Sequence, residues 1–499
     1  MTTQIPIIQQ SVQHSDRIAI VDAQGSYCYQ QLLNDAVKVS STLLSYDQPL
    51  KEQPICFLLP PTYQYVQVQW GIWLSGGIAV PLAVSHPLAE LEYVLEDTGA
   101  SFLIYHSMFE EKALALAQKY AIELINVDAL QELDLNIMLP EVVSHQAAMM
   151  IYTSGTTGKP KGVITTHDTI TTHIKALSEA WHWSREDRIV NILPLHHVHG
   201  IENIVASALW NGATCYMLSK FDLEKIWELI SADALSVFMA VPTIYAKMIA
   251  DFKTLPDDKK EVLEQSFRKM RLMVSGSAAL PVSVLQEWKV ISGHVLLERY
   301  GMTEIGMALS NSYTEKRIPG HVGKPLPFVE TRVVDANYND VAKGSSGELL
   351  VKGPGVFTEY WQKATATKEA FTNDGWFKTG DVVQVNAQGI YKILGRQSVD
   401  IIKTGGYKVS ALEIEEVLRE HPQITECAVV GLPSDEWGQE IAAVIVSEET
   451  QLDLEPLKDW CIQQLAPYKK PVYWKIVSAL PKNAMGKVVK PTIVKLFQR

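Results

Sequence analysis

The sequence predicts an α/β protein: a large N-terminal domain of doubly wound sheets that carries a small β-barrel-like unit, and a small α+β C-terminal domain. Three observations predict this. Short apolar runs alternate with helix-like segments through the first half of the chain. From Gly320 to about Leu394 the strands become short and the glycines frequent. Beyond a break near Gly395 to Asp400 lies a compact α+β segment, so the chain is expected to divide into 1–396 and 397–499.

Residues 53–59 (QPICFLL) and 100–105 (ASFLIY) read as buried strands, with a helix over 62–74 between them. A further strand, 147–152, runs into a glycine-rich loop, and a helix begins at about Asp168 with Ile170, Ile174 and Leu177 on one face. In the second unit, 333–334, 348–351 and 391–394 read as short strands, which suggests a distorted barrel. In the last segment, Ser410 followed by Glu413 reads as a reciprocal capping box. The helix it opens carries Ile414, Val417 and Leu418 and stops before Pro422, and strands follow at 427–430 and 441–446.

With 499 residues, 47% of them hydrophobic and 20% charged, the chain has material for two to four structural units. The net charge of -12 argues against nucleic-acid binding, which needs a phosphate-neutralising surface. The five cysteines are scattered, form no CxxC pair, and fit a reducing compartment. The N-terminal MTTQIPIIQQSVQHSDR has neither the basic nor the apolar region of a signal peptide. The most apolar stretch, 71–84, is too short to span a bilayer. The final LFQR is not a peroxisomal address, so the cytoplasm is the expected compartment.

The chemistry begins at 152–162, YTSGTTGKPKG. Thr153, Ser154, Gly155, Thr156, Thr157, Gly158 and Lys159 combine small residues, hydroxyl donors and charge. Such a loop lets backbone N–H groups approach phosphate oxygens. A Walker loop is excluded, because its first glycine would fall at Thr153 and its Ser/Thr at Pro160. His196, His197 and His199 lie close in sequence, but no cysteine or ordered set of acids completes a metal site with them.

At this loop the chain resembles the adenylate-forming enzymes, a family that includes acyl-CoA synthetases, luciferases and peptide-synthetase adenylation domains. The resemblance continues in family order through PLHHVHG (194–200), SGSAAL (275–280), ERYGMTE (298–304), GWFKTGD (375–381), GRQSVDIIKTGGYKVS (395–410) and KNAMGKVVK (482–490). It implies a reaction in two halves. A carboxylate attacks the α-phosphorus of ATP, and a thiol, usually that of CoA, then displaces AMP. Two anions meet in the first half, so the site must supply positive charge and positioning rather than a general base.

The resemblance also implies roles. Thr303 and Glu304 contact the α-phosphate and hold Mg²⁺. Tyr300 stacks on adenine, Gly276, Ser277 and Ala278 line the base, and Glu298, Gly301 and Met302 complete that wall. Asp381 and Arg396 take the ribose. Lys487 bridges the substrate carboxylate and the α-phosphate. Asp400 matches the hinge of a mobile C-terminal domain, and Gly405, Gly406 and Lys408 belong to the loop presented for thioester formation.

Four segments are similar to the malonyl-CoA synthetase branch: 193–203, 238–245, 296–310 and 398–416. In that reading His197 gates the acyl pocket, His199 lines it, and Arg299 meets a second carboxylate, which needs a fixed cation in a closed pocket. Malonate or methylmalonate is then the expected acid. A medium- or long-chain fatty acyl-CoA ligase and a carrier-protein-loading adenylation enzyme are the alternatives. The expected partners are a small carboxylic acid, ATP and CoA, with no nucleic acid and no transmembrane segment. Oligomeric state is not legible in the residues.

Overall fold

The structure, a computed structural model, describes residues 4–46, 50–130, 138–153, 159–405, 407–434, 436–447, 453–482 and 487–498. Two large sheets dominate the N-terminal part. The first has seven strands, in the order Glu359–Tyr360, Lys161–Thr166, Ala147–Thr153, Ile78–Pro81, Pro54–Leu58, Phe102–Tyr105 and Glu123–Asn126. The last five run parallel and the first two antiparallel. The second sheet has nine strands and a parallel centre. It contains Leu297–Met302, Leu272–Ser275, Val237–Ala240, Arg188–Asn191, Thr214–Met217 and Ile18–Val21, closed at each end by antiparallel strands.

One apolar core joins the two sheets through helices Tyr29–Leu44, Tyr63–Leu74 and His167–Ala180. Every residue of Tyr63–Leu74 except Gln64 is buried, so this helix has no polar face to show water. Sequence and structure agree on it to within a residue; of the buried strands beside it, 53–59 is observed as Pro54–Leu58 and 100–105 as Phe102–Tyr105. The expected doubly wound architecture is therefore present.

One strand was not foreseen and one expectation changes. The strand Ala147–Thr153 is followed by the antiparallel strand Lys161–Thr166, paired from Ala147↔Thr166 to Thr153↔Lys161. The loop thus joins two strands of a hairpin, whereas a Walker loop leads from a strand into a helix. The barrel-like unit is an open four-stranded antiparallel sheet, Glu330–Val334, Ser346–Lys352, Phe377–Val385 and Tyr391–Arg396. It packs against the nine-stranded sheet's edge and is bridged to it at Gly323↔Tyr391.

The small C-terminal domain has its own five-stranded sheet and its own apolar core, built on Ile402, Ile414, Leu418, Val429, Ile441 and Leu457. Its helix Ala411–Arg419 is capped by Ser410, whose hydroxyl oxygen accepts the Glu413 N–H at 3.2 Å. Only this half of the capping box forms. The Glu413 carboxylate instead takes the Lys469 ammonium at 2.6 Å, and the Ser410 hydroxyl donates to the Leu394 carbonyl.

Candidate active site

Several of the predicted residues, among them His199, Gly276, Ser277 and Arg299, lie at the carboxyl ends of the nine-stranded sheet, where α/β proteins place their ligands. Adjacent parallel strands end at Ser275 and continue at Glu298, which are partners in register. Past those ends stand Gly276 and Ser277 on one strand and Arg299 on the next. The π-helical segment His199–Ala206 follows strand Arg188–Asn191 and supplies His199.

Arg299 is 5% exposed, and neither its Nε nor its Nη2 has a hydrogen-bond partner among the described residues. Burial pushes its pKa down to about 9, which still leaves it a cation at neutral pH. A Cβ at position 276 would lie 2.4 Å from the guanidinium carbon, so glycine is what lets the guanidinium lie against this backbone. His199 is buried, and its Nδ1 pairs with the Ser277 hydroxyl at 3.0 Å. Ser277 holds a left-handed φ of +68° to make that contact. Burial, reinforced by Arg299 and then His197, holds His199 well below its ordinary range, so it is neutral. Its Nε2 is buried without a partner. Next to it, burial pushes His197 down to about 4 with help from His86, and its ring lies 4.2 Å from that of His196. Among the described residues no group of three or more His, Cys, Asp or Glu is arranged to hold a metal.

Across the same edge, strands Leu297–Met302 and Gly306–Ser310 form a hairpin with Thr303 and Glu304 at its tip. Burial raises the pKa of Glu304, whose Oε1 accepts the Tyr360 hydroxyl at 2.9 Å. Lys161 lies over the Tyr360 ring, 4.5 Å from its centroid. Lys161 belongs to the loop motif read in the sequence, whereas Tyr360 escaped that reading because it lies outside every recognised motif. The Tyr300 hydroxyl donates to Asp381 Oδ2 at 2.6 Å, and Arg396 Nε donates to Asp381 Oδ1 at 3.0 Å. Tyr300, Asp381 and Arg396 thus form one cluster. Gly301 and Met302 lie in the hairpin's first strand. Ala278 is exposed next to Ser277. Glu298 turns inward and accepts the Gly320 N–H at 2.9 Å; burial, then Glu416 nearby, pushes its pKa up to about 8.

The phosphate loop is described at its two ends. Thr153 closes the first strand and the Lys159 ammonium lies 5.4 Å from the Tyr93 ring centroid. Ser154, Gly155, Thr156, Thr157 and Gly158 lie outside the described residues, as does Gly406. Gly405 donates its N–H to the Trp437 carbonyl, and Lys408 stands opposite Lys403 in the returning strand. Lys487 is exposed beside the isolated bridge Lys482↔Val488. Asp400 sits at the junction of the two domains, its Oδ2 accepting the Arg396 N–H at 3.0 Å.

Comparison with known proteins agrees with this geometry. Residues 8–361 match the AMP-binding enzyme family, and residues 413–487 match the AMP-binding enzyme C-terminal domain. The chain is 44% identical to the malonate–CoA ligase ACSF3, mitochondrial, of Bos taurus, over 98% of this chain and 90% of that protein. It is 39% identical to the malonate–CoA ligase of Arabidopsis thaliana, over 97% of this chain and 86% of that one. The ATP-bound crystal structure of MatB from Rhodopseudomonas palustris superposes with a TM-score of 0.90 at 29% identity, covering 99% of both chains. The chain therefore belongs to the AMP-binding family of adenylate-forming enzymes, as an AMP-forming acyl-CoA synthetase.

Proposed function

We propose that this protein is a malonate:CoA ligase, converting ATP, malonate and CoA into malonyl-CoA, AMP and pyrophosphate through malonyl-adenylate. Methylmalonate fits the same scheme. The single observation that carries the choice of acid is Arg299, a buried cation with two unpartnered nitrogens beside a neutral His199. A desolvated guanidinium is costly unless a ligand completes it, and a carboxylate does so with two parallel hydrogen bonds. A fatty-acid tail would leave that charge unpaired. The malonate–CoA ligase relatives support the same reading.

In this scheme one malonate carboxylate rests on Arg299 and the other is aimed at ATP. An oxygen of the second carboxylate bonds to the α-phosphorus, the bond from that phosphorus to the bridging oxygen breaks, and pyrophosphate leaves with the electron pair. The CoA sulfur, as thiolate, then attacks the acyl carbon and AMP departs. Residues 153–159 receive the phosphates, Asp381 and Arg396 the ribose, and Tyr300 with Gly276, Ser277 and Ala278 the adenine. Glu298, Gly301 and Met302 back that wall. Thr303 donates to the α-phosphate, and His197 gates the acyl pocket. Lys487 brings an ammonium to the point where the two anions meet.

Mg²⁺ fits Glu304, since one buried protein carboxylate together with substrate phosphates is a usual magnesium environment; when bound, the ion offsets phosphate charge. Residues 1–396 and 397–499 are the two working parts. Asp400 is the pivot between them, and Gly405, Gly406 and Lys408 flank the thioester-forming channel. Among the described residues no helix is long and apolar enough to cross a membrane, and the five cysteines are free. We assign the protein to a reducing compartment, the cytoplasm, although the mammalian relatives are named as mitochondrial.

Acid-dependent ATP–pyrophosphate exchange tests the reading across malonate, methylmalonate, acetate and octanoate. Malonate is expected to give the highest kcat/KM. A preference for octanoate, unaffected by Arg299→Ala, would overturn it.

A further inference from the structure

Lys490 is a buried cation that the scheme above does not use. It opens the last helix, Lys490–Lys495, and is 8% exposed. Its ammonium nitrogen lies 2.7 Å from Asp400 Oδ1 and 2.8 Å from Glu415 Oε1. Burial opposes the charge, but the carboxylates of Glu415 and Asp400 outweigh it and leave the pKa raised. Burying an ion pair seldom adds net stability over an apolar filling, so it is a better device for fixing one arrangement than for strengthening a fold.

Each carboxylate leads to a different part of the molecule. Asp400 folds back over its own turn: its N–H donates to the Arg396 carbonyl at 2.7 Å and its Oδ2 accepts the Arg396 N–H. That return needs Gly395, which has a φ of +128° and where a Cβ would lie 2.4 Å from the Asp400 Cβ. Arg396 in turn holds Asp381 of the nucleotide cluster. On the other side, Glu415 accepts the Val429 N–H at 2.8 Å and pairs with Arg419 at 3.2 Å. Arg419 also pairs with Glu416, whose Oε1 accepts the Val282 N–H of the large domain at 2.8 Å. A continuous line of polar contacts thus runs from Asp381 through Lys490 and back to the large domain.

We propose that Lys490 is a positioning residue for the passage between the two half-reactions: by clasping Asp400 to Glu415 it sets the orientation in which the C-terminal domain meets the nucleotide site. The inference rests on the reading of Asp400 as the pivot. Rotation about the Asp400 Cα–C bond would carry Lys490 off with the C-terminal domain while the Asp400 carboxylate stays on the Arg396 N–H, and so would draw the pair apart. The clasp therefore favours the arrangement described here over any in which that pair is broken.

The test is single-turnover kinetics of both steps in the full chain. Adenylate formation is followed from ATP and malonate, and thioester formation from supplied malonyl-adenylate and CoA. Lys490→Met is expected to change the ratio of the two rate constants by about tenfold, within the range usual for coupled sites. Lys490→Arg, which keeps the charge, is expected to return the ratio toward that of the wild type. Circular dichroism establishes that each variant is folded. If Lys490→Met does not fold, Glu415→Gln is read instead, and the same displacement of the ratio is expected. Equal slowing of both steps, or an unchanged ratio, would overturn the proposal, as would Lys490→Arg behaving like Lys490→Met. Failure of the ligase reading is distinct, because the wild type would then show no malonate-dependent ATP–pyrophosphate exchange.

Discussion

Arg299 and Glu298 are consecutive residues with opposite electrostatic problems. Both are buried, and burial disfavours the charged form of each. Arg299 remains a cation, because even a large depression leaves its pKa at about 9. Glu298 does not remain an anion, because its carboxyl is pushed up to about 8. This gives a pH dependence with a definite sign. The native state holds a proton that the unfolded chain releases near 4.5, so this group's stabilising contribution is complete below that value and is lost as pH rises through about 8. Glu298→Gln keeps an acceptor for the Gly320 N–H without the titration. Its urea midpoint, measured between about pH 5 and pH 9, is expected to vary less than that of the wild type. Superimposable pH profiles would contradict the assignment.

At the scale of elements, the site is made by strands that end together and by one hairpin that turns over them. Glu304 is fixed from outside its own hairpin by Tyr360, which stands on the short strand Glu359–Tyr360 paired with Lys161–Thr166. The edge that carries the phosphate loop thus also holds the proposed magnesium ligand. Tyr360→Phe removes one hydrogen bond to a carboxylate, a contact worth about 1.5–3 kcal/mol. Malonate-dependent ATP–pyrophosphate exchange is expected to fall roughly tenfold or more in that variant, with an unchanged circular dichroism spectrum. Wild-type exchange would show that Tyr360 does not support Glu304. The strand Lys161–Thr166 was not legible in the sequence, because KGVITT is short and follows a loop whose composition dominates the local pattern. The capping box was legible only by half, because Lys469, distant in sequence, captures the Glu413 carboxylate.

At the scale of the whole molecule, two separate cores lie on either side of Asp400, and the proposed site draws residues from both. Separate motifs announced its parts: Tyr300, Thr303 and Glu304 in one, Asp381 in a second and Arg396 in a third. Their joining was not announced. Tyr360 reaches Glu304, Lys490 reaches Asp400 and Ser277 reaches His199 across long stretches of chain, and no local pattern encodes those pairings. Arg299 stood out by its type and place, but its unpartnered nitrogens emerge only once the strands are packed. On the proposal that Lys487, in the small domain, serves adenylation only, Lys487→Ala is expected to slow adenylation by orders of magnitude while sparing thioester formation from supplied malonyl-adenylate. Equal loss of both steps, measured by rapid quench, would contradict that division of labour. The central claim, that Arg299 receives the second carboxylate, is tested most directly by comparing kcat/KM for malonate and monomethyl malonate in the wild type and in Arg299→Met. The wild type is expected to prefer malonate by roughly 10²–10³-fold, since leaving one member of a buried charge pair unpaired costs about 3–5 kcal/mol. In Arg299→Met the preference is expected to collapse with no loss of thermal stability; a variant that still prefers malonate as the wild type does would contradict the account.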